Sequence, residues 1–434
     1  MVRALNQPKT HAIRLKNGVS ALSIEVRHLA RAHIGVTLRG GPVYEPDTCW
    51  GLSHVLEHMV FRGTKAFPST RAVSIEADAC GGTIDGATYR DRVLYDMRVD
   101  PECMERGLNL LAQMMHQPRL QGLDIEKQVI LEELLESRDE QGQDIDPDNW
   151  SYKALFPSGP LSRTIEGLAS QVRAFTVRDL RRFLKSHYSS QNMTVVTVGP
   201  YSHRTMENMV RRTFGGLPAG KPIPSPQPNS VEMPSSPIHV VRSKLSQTHV
   251  RLCFASHGMD IQERYRLLKL SKILDDGPAS RFQSRLIDGQ GLAYALWATT
   301  DFYEGQGVFE IGAQVEHRRV LELVTAVIGE LHRLAERAPQ KNEQVRIEKR
   351  FERMLRDLCD QPGQLTEVAS RYALFGHSFD LNAANARFAE VTGAHVRKTA
   401  QELLSKCSPV LVLVGQPPKT QANQLRRHLN QIWR

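Results

Sequence analysis

Three residues in one short segment, His54, Glu57 and His58 within Gly51 to Thr64 (GLSHVLEHMVFRGT), are the types that carry out metal-assisted hydrolysis. Histidines four apart project from one face of a helix, where two imidazoles can grip a single cation. Glu57 precedes the second histidine by one residue and reaches the same side, offset enough to address a water rather than the metal. Neutral imidazole suits zinc, and a catalytic zinc site needs a third protein ligand plus an open position for water. The ion lowers that water's pKa to about 7, and a neighbouring carboxylate accepts its proton. The order H-x-x-E-H has this logic. On its own it fixes three residues, and two surface histidines on an amphipathic helix would read the same way. The rest of the chain has to decide.

The elements that must position these residues are legible in outline. A chain of 434 residues exceeds one ordinary core, so two domains of about 200 residues each are expected. Apolar residues at 41% and charged residues at 24% fit a soluble globular protein. Ala219 to Pro237 (AGKPIPSPQPNSVEMPSSP) holds six prolines and almost no large apolar residues, which reads as an extended linker. The expected domains are therefore 1–218 and 238–434, joined by 219–237. Each half opens on strand-like alternation, at 32–38 and at 248–254, and closes on a β-branched run ending in glycine, at 193–199 and at 409–415. Amphipathic helices are expected at 124–137 and 177–187. Strands mixed with long helices, without strict alternation, predict an α+β fold: two related domains, each a mainly antiparallel sheet packed with helices.

Composition excludes more than it assigns. No window approaches the roughly 18 apolar residues of a membrane span, and Met1 to Lys9 has no apolar core of a signal peptide. A cytoplasmic protein is expected, or a periplasmic one if a signal has been trimmed. The six cysteines are single, with no C-x-x-C pair, and are expected to be reduced and buried. The net charge of +9 is spread along helical segments such as Arg178 to Phe183, without a nucleic-acid-binding signature. It is read as a surface excess, with no nucleic-acid partner.

The flanking motifs carry the specific signal. Phe61-Arg62-Gly63-Thr64 follows the histidines, then Ala79 to Thr88 (ACGGTIDGAT), then Glu126 to Leu134 (EKQVILEEL). With Leu15 to Gly18, Tyr188 to Gly199 and Leu274 to Tyr294, the chain resembles short bacterial-type members of the pitrilysin and mitochondrial processing peptidase family over essentially its whole length. The resemblance implies a zinc endopeptidase acting on peptides or short unfolded polypeptides inside a chamber, with one zinc ion per chain. It implies that Glu133, the last glutamate of an E-x6-E pair, is the third ligand beside His54 and His58. Glu126, seven residues earlier and so two helical turns away on the same face, would orient a ligand or balance transition-state charge. Glu132 competes for the ligand role but points about 100° around the helix; Glu132 and Glu136 read as an ordinary charged face. Thr83 to Thr88 resembles the edge strand to which substrate adds as an extra strand, with Asp85-Gly86 where the family has Asn-Ala. A plain surface hairpin is the rival reading there.

In the second half the family places an arginine and, seven residues later, a tyrosine, which together donate hydrogen bonds to the substrate carbonyl and its oxyanion. Tyr294 is present, but Ile287 holds the arginine's place, and Arg285 lies two positions off. The expected arrangement is thus a zinc-bearing subunit, with Glu57 and Tyr294 catalytic and Glu126 in support, paired with a homologous zinc-free partner. The alternative is a homodimer in which Tyr294 works with Arg285 or another donor. A non-catalytic peptide-binding or core subunit of the same family is the contrasting reading, disfavoured because His54, Glu57, His58 and Glu133 are all intact. The sequence does not separate general peptide degradation from processing of one precursor.

Overall fold

A computed structural model describes residues 7–226, 236–257 and 260–433. The first half runs β1 (Lys9–Arg14), β2 (Ser20–Glu25), β3 (Ala32–Leu38), α1 (Leu52–Val60), α2 (Thr70–Ala79), β4 (Ile84–Thr88), β5 (Val93–Val99), α3 (Met104–His116), α4 (Leu123–Glu136), α5 (Pro147–Leu155), α6 (Ala169–Ala174), α7 (Val177–His187), β6 (Met193–Gly199) and α8 (His203–Phe214). The second runs β7 (Ile238–Arg242), β8 (Thr248–His257), α9 (Ile261–Leu274), β9 (Ala295–Tyr303), β10 (Gln306–Val315), α10 (Val320–Glu336), α11 (Lys341–Cys359), α12 (Pro362–Leu374), α13 (Leu381–Glu390), α14 (Gly393–Ser405), β11 (Val410–Gly415) and α15 (Lys419–Ile432). A π-helical turn, Phe282–Ile287, stands between α9 and β9. Of the expected linker, residues 227–235 lie outside the described residues. Residues 219–226 form neither helix nor strand and are pinned by Asn192, which bonds the Lys221 carbonyl and the Ile223 amide.

The two halves repeat one topology. The first sheet has the order β1-β2-β6-β3-β5-β4 and the second β7-β11-β8-β10-β9. Without β1, the orders correspond strand for strand. In each, the first pair (β2 with β6, β7 with β11) is parallel and every other pair antiparallel. The helices follow suit, since α3, α4 and α5 succeed β5 just as α10, α11 and α12 succeed β10. The β-branched runs β6 (MTVVTVG) and β11 (VLVLVG) are buried throughout, as strands covered on both faces should be.

Each sheet is covered on one face by its own helices and on the other by a helix from the opposite half. Val55, Leu56 and Met59 of α1 share a core with Ile34, Val36 and Tyr95 of β3 and β5. On the other face, Leu365 and Ala369 of α12 pack with Leu22, Ile24 and Val198. Reciprocally, Tyr152 and Leu155 of α5 pack with Cys253, Val412 and Val414 of the second sheet. No helix among the described residues is long and apolar enough to cross a membrane.

Helix α12 approaches β3 so closely that a Cβ on Gly35 would lie 2.5 Å from Thr366 Cγ2 and 3.0 Å from Ser370 Oγ. Gly35→Val should therefore overpack this contact and destabilise the protein by about 2–3 kcal/mol, read as a lowered urea midpoint. Thr366→Ala in the same chain should recover part of the loss. An unchanged midpoint for the single variant would mean that α12 does not rest on β3.

Candidate metal centre

Helix α1 is a core helix, with His54 only 6% exposed, so its histidines are not two surface residues on an amphipathic face. Its start is held by a carboxylate from outside the helix. Glu45 accepts the Gly51 amide at 2.8 Å and the Ser53 amide at 2.6 Å, placing negative charge at the helix's positive end. Burial pushes the Glu45 carboxyl up to about 7, although both amides and the Arg163 charge oppose it. Gly51 has a φ of 89°, and a Cβ there would lie 2.4 Å from the Glu166 carbonyl, so only glycine lets the helix begin this close to the neighbouring loop.

On the face this start presents, three ligand atoms converge. His54 Nε2 and His58 Nε2 lie 3.3 Å apart. Glu133, from α4, brings Oε1 to 3.5 Å from His54 Nε2 and Oε2 to 3.6 Å from His58 Nε2. A tetrahedral ion with bonds of about 2.0–2.1 Å separates its ligand atoms by about 3.3–3.4 Å, so the three side chains fit one such ion. Two imidazoles and one carboxylate are also the donor set of a catalytic zinc site. Burial lowers His54 to about 4, keeping its ring neutral and its lone pair free, although Glu133 pulls the other way. For His58, burial also acts to lower the pKa, but the Glu133 hydrogen bond and the Glu57 and Glu133 charges outweigh it and the net shift is upward. Glu133 is correspondingly lowered, first by its hydrogen bond with His58.

The supporting residues divide cleanly. Glu126 is not among the converging atoms: its Oε2 lies 3.2 Å from His58 Nδ1, and its Oε1 accepts from Arg62 at 2.9 Å. It therefore fixes the tautomer that leaves His58 Nε2 free to bind metal. His54 has no such helper, since its buried Nδ1 has no hydrogen-bond partner. Glu57 points instead toward β4, the terminal strand of the first sheet. Its Oε2 accepts from Thr88 Oγ1 at 2.8 Å, and a Cβ on Gly86 would lie 2.9 Å from its Oε1. Burial raises the Glu57 carboxyl, while the Thr88 hydrogen bond and the His58 charge restrain it. Glu132 and Glu136 are exposed.

The second half contributes differently. Tyr294 is 94% exposed, just before β9, the terminal strand of its own sheet, and bonds none of His54, Glu57, His58 or Glu133. Ile287 ends the π-helical turn and packs against the core. Arg285 donates to Glu330 at 3.1 Å. Glu45, Arg62, Gly86 and Thr88 also serve the site, and none of them was singled out from the sequence as a partner of the three-residue motif. Arg62, Gly86 and Thr88 stood inside quoted motifs, the last two in the expected edge strand, so the signal was adjacency; Glu45 carried none.

Comparison with known proteins gives a consistent pattern. The family profile described as "Insulinase (Peptidase family M16)" matches residues 22–167, and that described as "Peptidase M16 inactive domain" matches residues 174–350. A Rickettsia felis protein named "Uncharacterized zinc protease" is 26% identical over 374 residues, 84% of this chain and 87% of that protein. The mitochondrial-processing peptidase subunit beta of Blastocladiella emersonii is 25% identical over 425 residues, 95% of this chain and 90% of that one. In fold, the crystal structure of a protease from Helicobacter pylori superposes with a TM-score of 0.85 at 19% identity, covering 95% of this chain and 100% of that one.

Because Glu126 orients His58 without touching the metal position, Glu126→Gln should weaken zinc binding about 10–100-fold without abolishing it. His54→Ala, His58→Ala and Glu133→Ala should each abolish stoichiometric binding. Competition with a chromophoric chelator measures both; equal affinity in Glu126→Gln and the parent chain would remove Glu126 from the centre.

Proposed function

Because the chain belongs to peptidase family M16, we propose that it is a zinc-dependent endopeptidase that cleaves extended peptides, and that it is the zinc-bearing subunit of a two-chain enzyme. The observation that carries the first part is the convergence of His54, His58 and Glu133 with Glu57 set beside an open strand edge. A zinc ion held by those three ligands supplies Lewis acidity and brings a water's pKa to about 7.

The chain's own residues do the rest. Among the described residues strand β4 pairs only with β5, so its outer edge offers backbone donors and acceptors to an extended peptide. Asp85 in place of asparagine leaves that recognition intact, because the backbone supplies it. Gly86 lets Glu57 lie against the strand, where a side chain would displace the carboxylate. Glu57 accepts a proton from the attacking water as its oxygen bonds to the peptide carbonyl carbon. It returns the proton to the leaving nitrogen as the C–N bond breaks. The Thr88 hydrogen bond favours the ionised form of Glu57 against the effect of burial, and Glu126 and Arg62 keep His58 in register.

The second part rests on Ile287. Oxyanion stabilisation calls for donors preorganised at the developing charge; Tyr294 can be one, but the arginine's place is taken by isoleucine and Arg285 is committed to Glu330. A homologous partner bearing the arginine and tyrosine would complete the site, in keeping with the similarity to a protein that is itself named a subunit.

Glu57→Gln should retain zinc and lose about 10²–10⁴ in kcat; loss of metal in that variant would make Glu57 a ligand. Thr88→Val removes the hydrogen bond that lowers the Glu57 pKa, so the acidic limb of kcat/KM should move to higher pH, and an unmoved limb would separate Thr88 from the base. Mixing the chain with a zinc-free homologue that contains R-x6-Y should raise kcat/KM above that of the chain alone. Full activity without any partner would refute the two-chain assignment and leave the peptidase assignment standing.

A further inference from the structure

A large cavity lies away from the metal centre. About 660 Å³ of open space lies in the second half, between α9, α11, α12, α13 and the turn joining β9 to β10. Small-molecule sites run from about 300 to 1,000 Å³. The walls are aromatic and aliphatic: Tyr265 and Leu268 from α9, Phe351 and Leu355 from α11, and Phe379 and Leu381 where α13 begins.

One end of this cavity is cationic. Arg264 of α9 donates to the Tyr303 carbonyl at 3.0 Å, and Arg371 of α12 donates to the adjacent Phe302 carbonyl. A guanidinium has five N–H donors, so most on both side chains are unspent. Among the described residues, no carboxylate lies within ion-pair distance of either. Of the acids lining or near the cavity, Asp357 is exposed on α11 and the others are engaged elsewhere. Glu304 accepts from Ser225 at 3.0 Å through Oε1, and from Arg39 at 2.7 Å and Tyr44 at 3.2 Å through Oε2. Asp276 accepts from Arg350 at 3.1 Å with Lys272 beside it, Asp380 caps α13, and Asp91 accepts from Arg92. Burial, and then the Arg371 charge, hold Arg264 below the usual arginine range. An arginine pair of this kind at the end of an apolar cleft lacks an anion, and the planar fork matches a carboxylate bidentately.

We propose that this cavity binds a carboxylate attached to an apolar body, its head held between Arg264 and Arg371 and its body lying against Tyr265, Leu268 and Phe351. A medium-chain fatty acid and the C-terminal end of an apolar peptide share this chemistry. The site is independent of the peptidase assignment.

Titration calorimetry on the full chain tests it with two carboxylates, decanoate below its micellar concentration and N-acetyl-Leu-Phe, beside their neutral counterparts decanol and N-acetyl-Leu-Phe-amide. At least one carboxylate should saturate at one per chain, and its neutral counterpart should bind at least tenfold more weakly. Binding by decanoate alone identifies the fatty-acid source, and binding by the peptide alone identifies the peptide end. Arg264→Gln and Arg371→Gln should each weaken binding at least tenfold. Val368→Trp, which fills the cavity from α12, should block it with the thermal midpoint unchanged. Chelation of zinc should leave the affinity as it was, since the metal centre is elsewhere. No binding by either carboxylate, equal binding of the neutral analogues, or unchanged affinity in both arginine variants would overturn the proposal.

Discussion

Four ionisable side chains, His54, Glu57, Glu126 and the partly covered His58, sit where α1 crosses α4 inside a hydrophobic core, and that placement constrains the local structure. Taking such groups out of water is costly unless each is hydrogen-bonded or paired. The structure meets the cost group by group. Glu126 lies between His58 and Arg62, Glu57 takes a hydroxyl from Thr88, and the two histidines face Glu133. The same demand fixes both ends of α1. Glu45 holds its first amides, while Arg62, just past its last turn, reaches Glu126 near the start of α4 and closes over Gly122. A helix anchored at both ends can keep two rings within a few tenths of an ångström of a metal's requirement. An amphipathic helix held by burial alone has no comparable restraint on rotation about its axis.

The duplication shows what this arrangement replaces. In element order, α9 holds the place of α1 and α11 that of α4. Where the first pair converges on a metal position, the second is joined by an ion pair: the fully buried Lys269 donates to Glu348 at 2.6 Å and to the carbonyls of Val391 and Phe388. Both pairs of helices thus contain buried charge satisfied by partners, in one case with open coordination and in the other with closed hydrogen bonding. The exchange of α5 and α12 then locks the halves together. Each sheet has one face that is complete only when the other half supplies its helix, so neither half buries its own core alone.

Much of this was legible in the sequence because it is local. Strand β3, helix α7 and strand β6 occupy the expected residues, since continuous β-branched runs and a 3.6-residue apolar period report burial directly. The histidine pair and Glu126 with Glu133 were legible for the same reason, spacings of four and seven on a helix being geometry. What escaped has a different physics. Strand β1 is exposed along almost its whole length, so it has no apolar alternation to detect, and β7 is short. Apolar residues on α5 and α12 announce that they are buried but not that the burying surface belongs to the other half. Glu45, Gly86 and Thr88 reach the site across turns and strand pairings, and no periodicity relates them to His54. The six cysteines are free, as their isolated spacing suggested, but only Cys80 and Cys253 are buried and the other four are partly exposed.

The exposed Tyr294 and the contact of Arg285 with the buried Glu330 bear on how a complete active site could be assembled. Glu330 is 0% exposed and is surrounded by Arg281, Arg285 and Arg333. Withdrawing Arg285 to serve as an oxyanion donor would remove one of the cations compensating a fully buried carboxylate. It would also loosen the π-helical turn that precedes Tyr294. Ile287, on the same turn, is packed against the core, so the position that would carry the donor is spent on stability. The turn is therefore built for rigidity rather than for delivering a cation. The first sheet's open edge has Glu57 beside it, and the second sheet's open edge begins just after the exposed Tyr294; in the proposed function the first would carry base and ligands and the second a single hydroxyl. Complementation by a chain of the same fold needs only one arginine at the position equivalent to Ile287, a smaller change than rebuilding the Glu330 cluster within this chain.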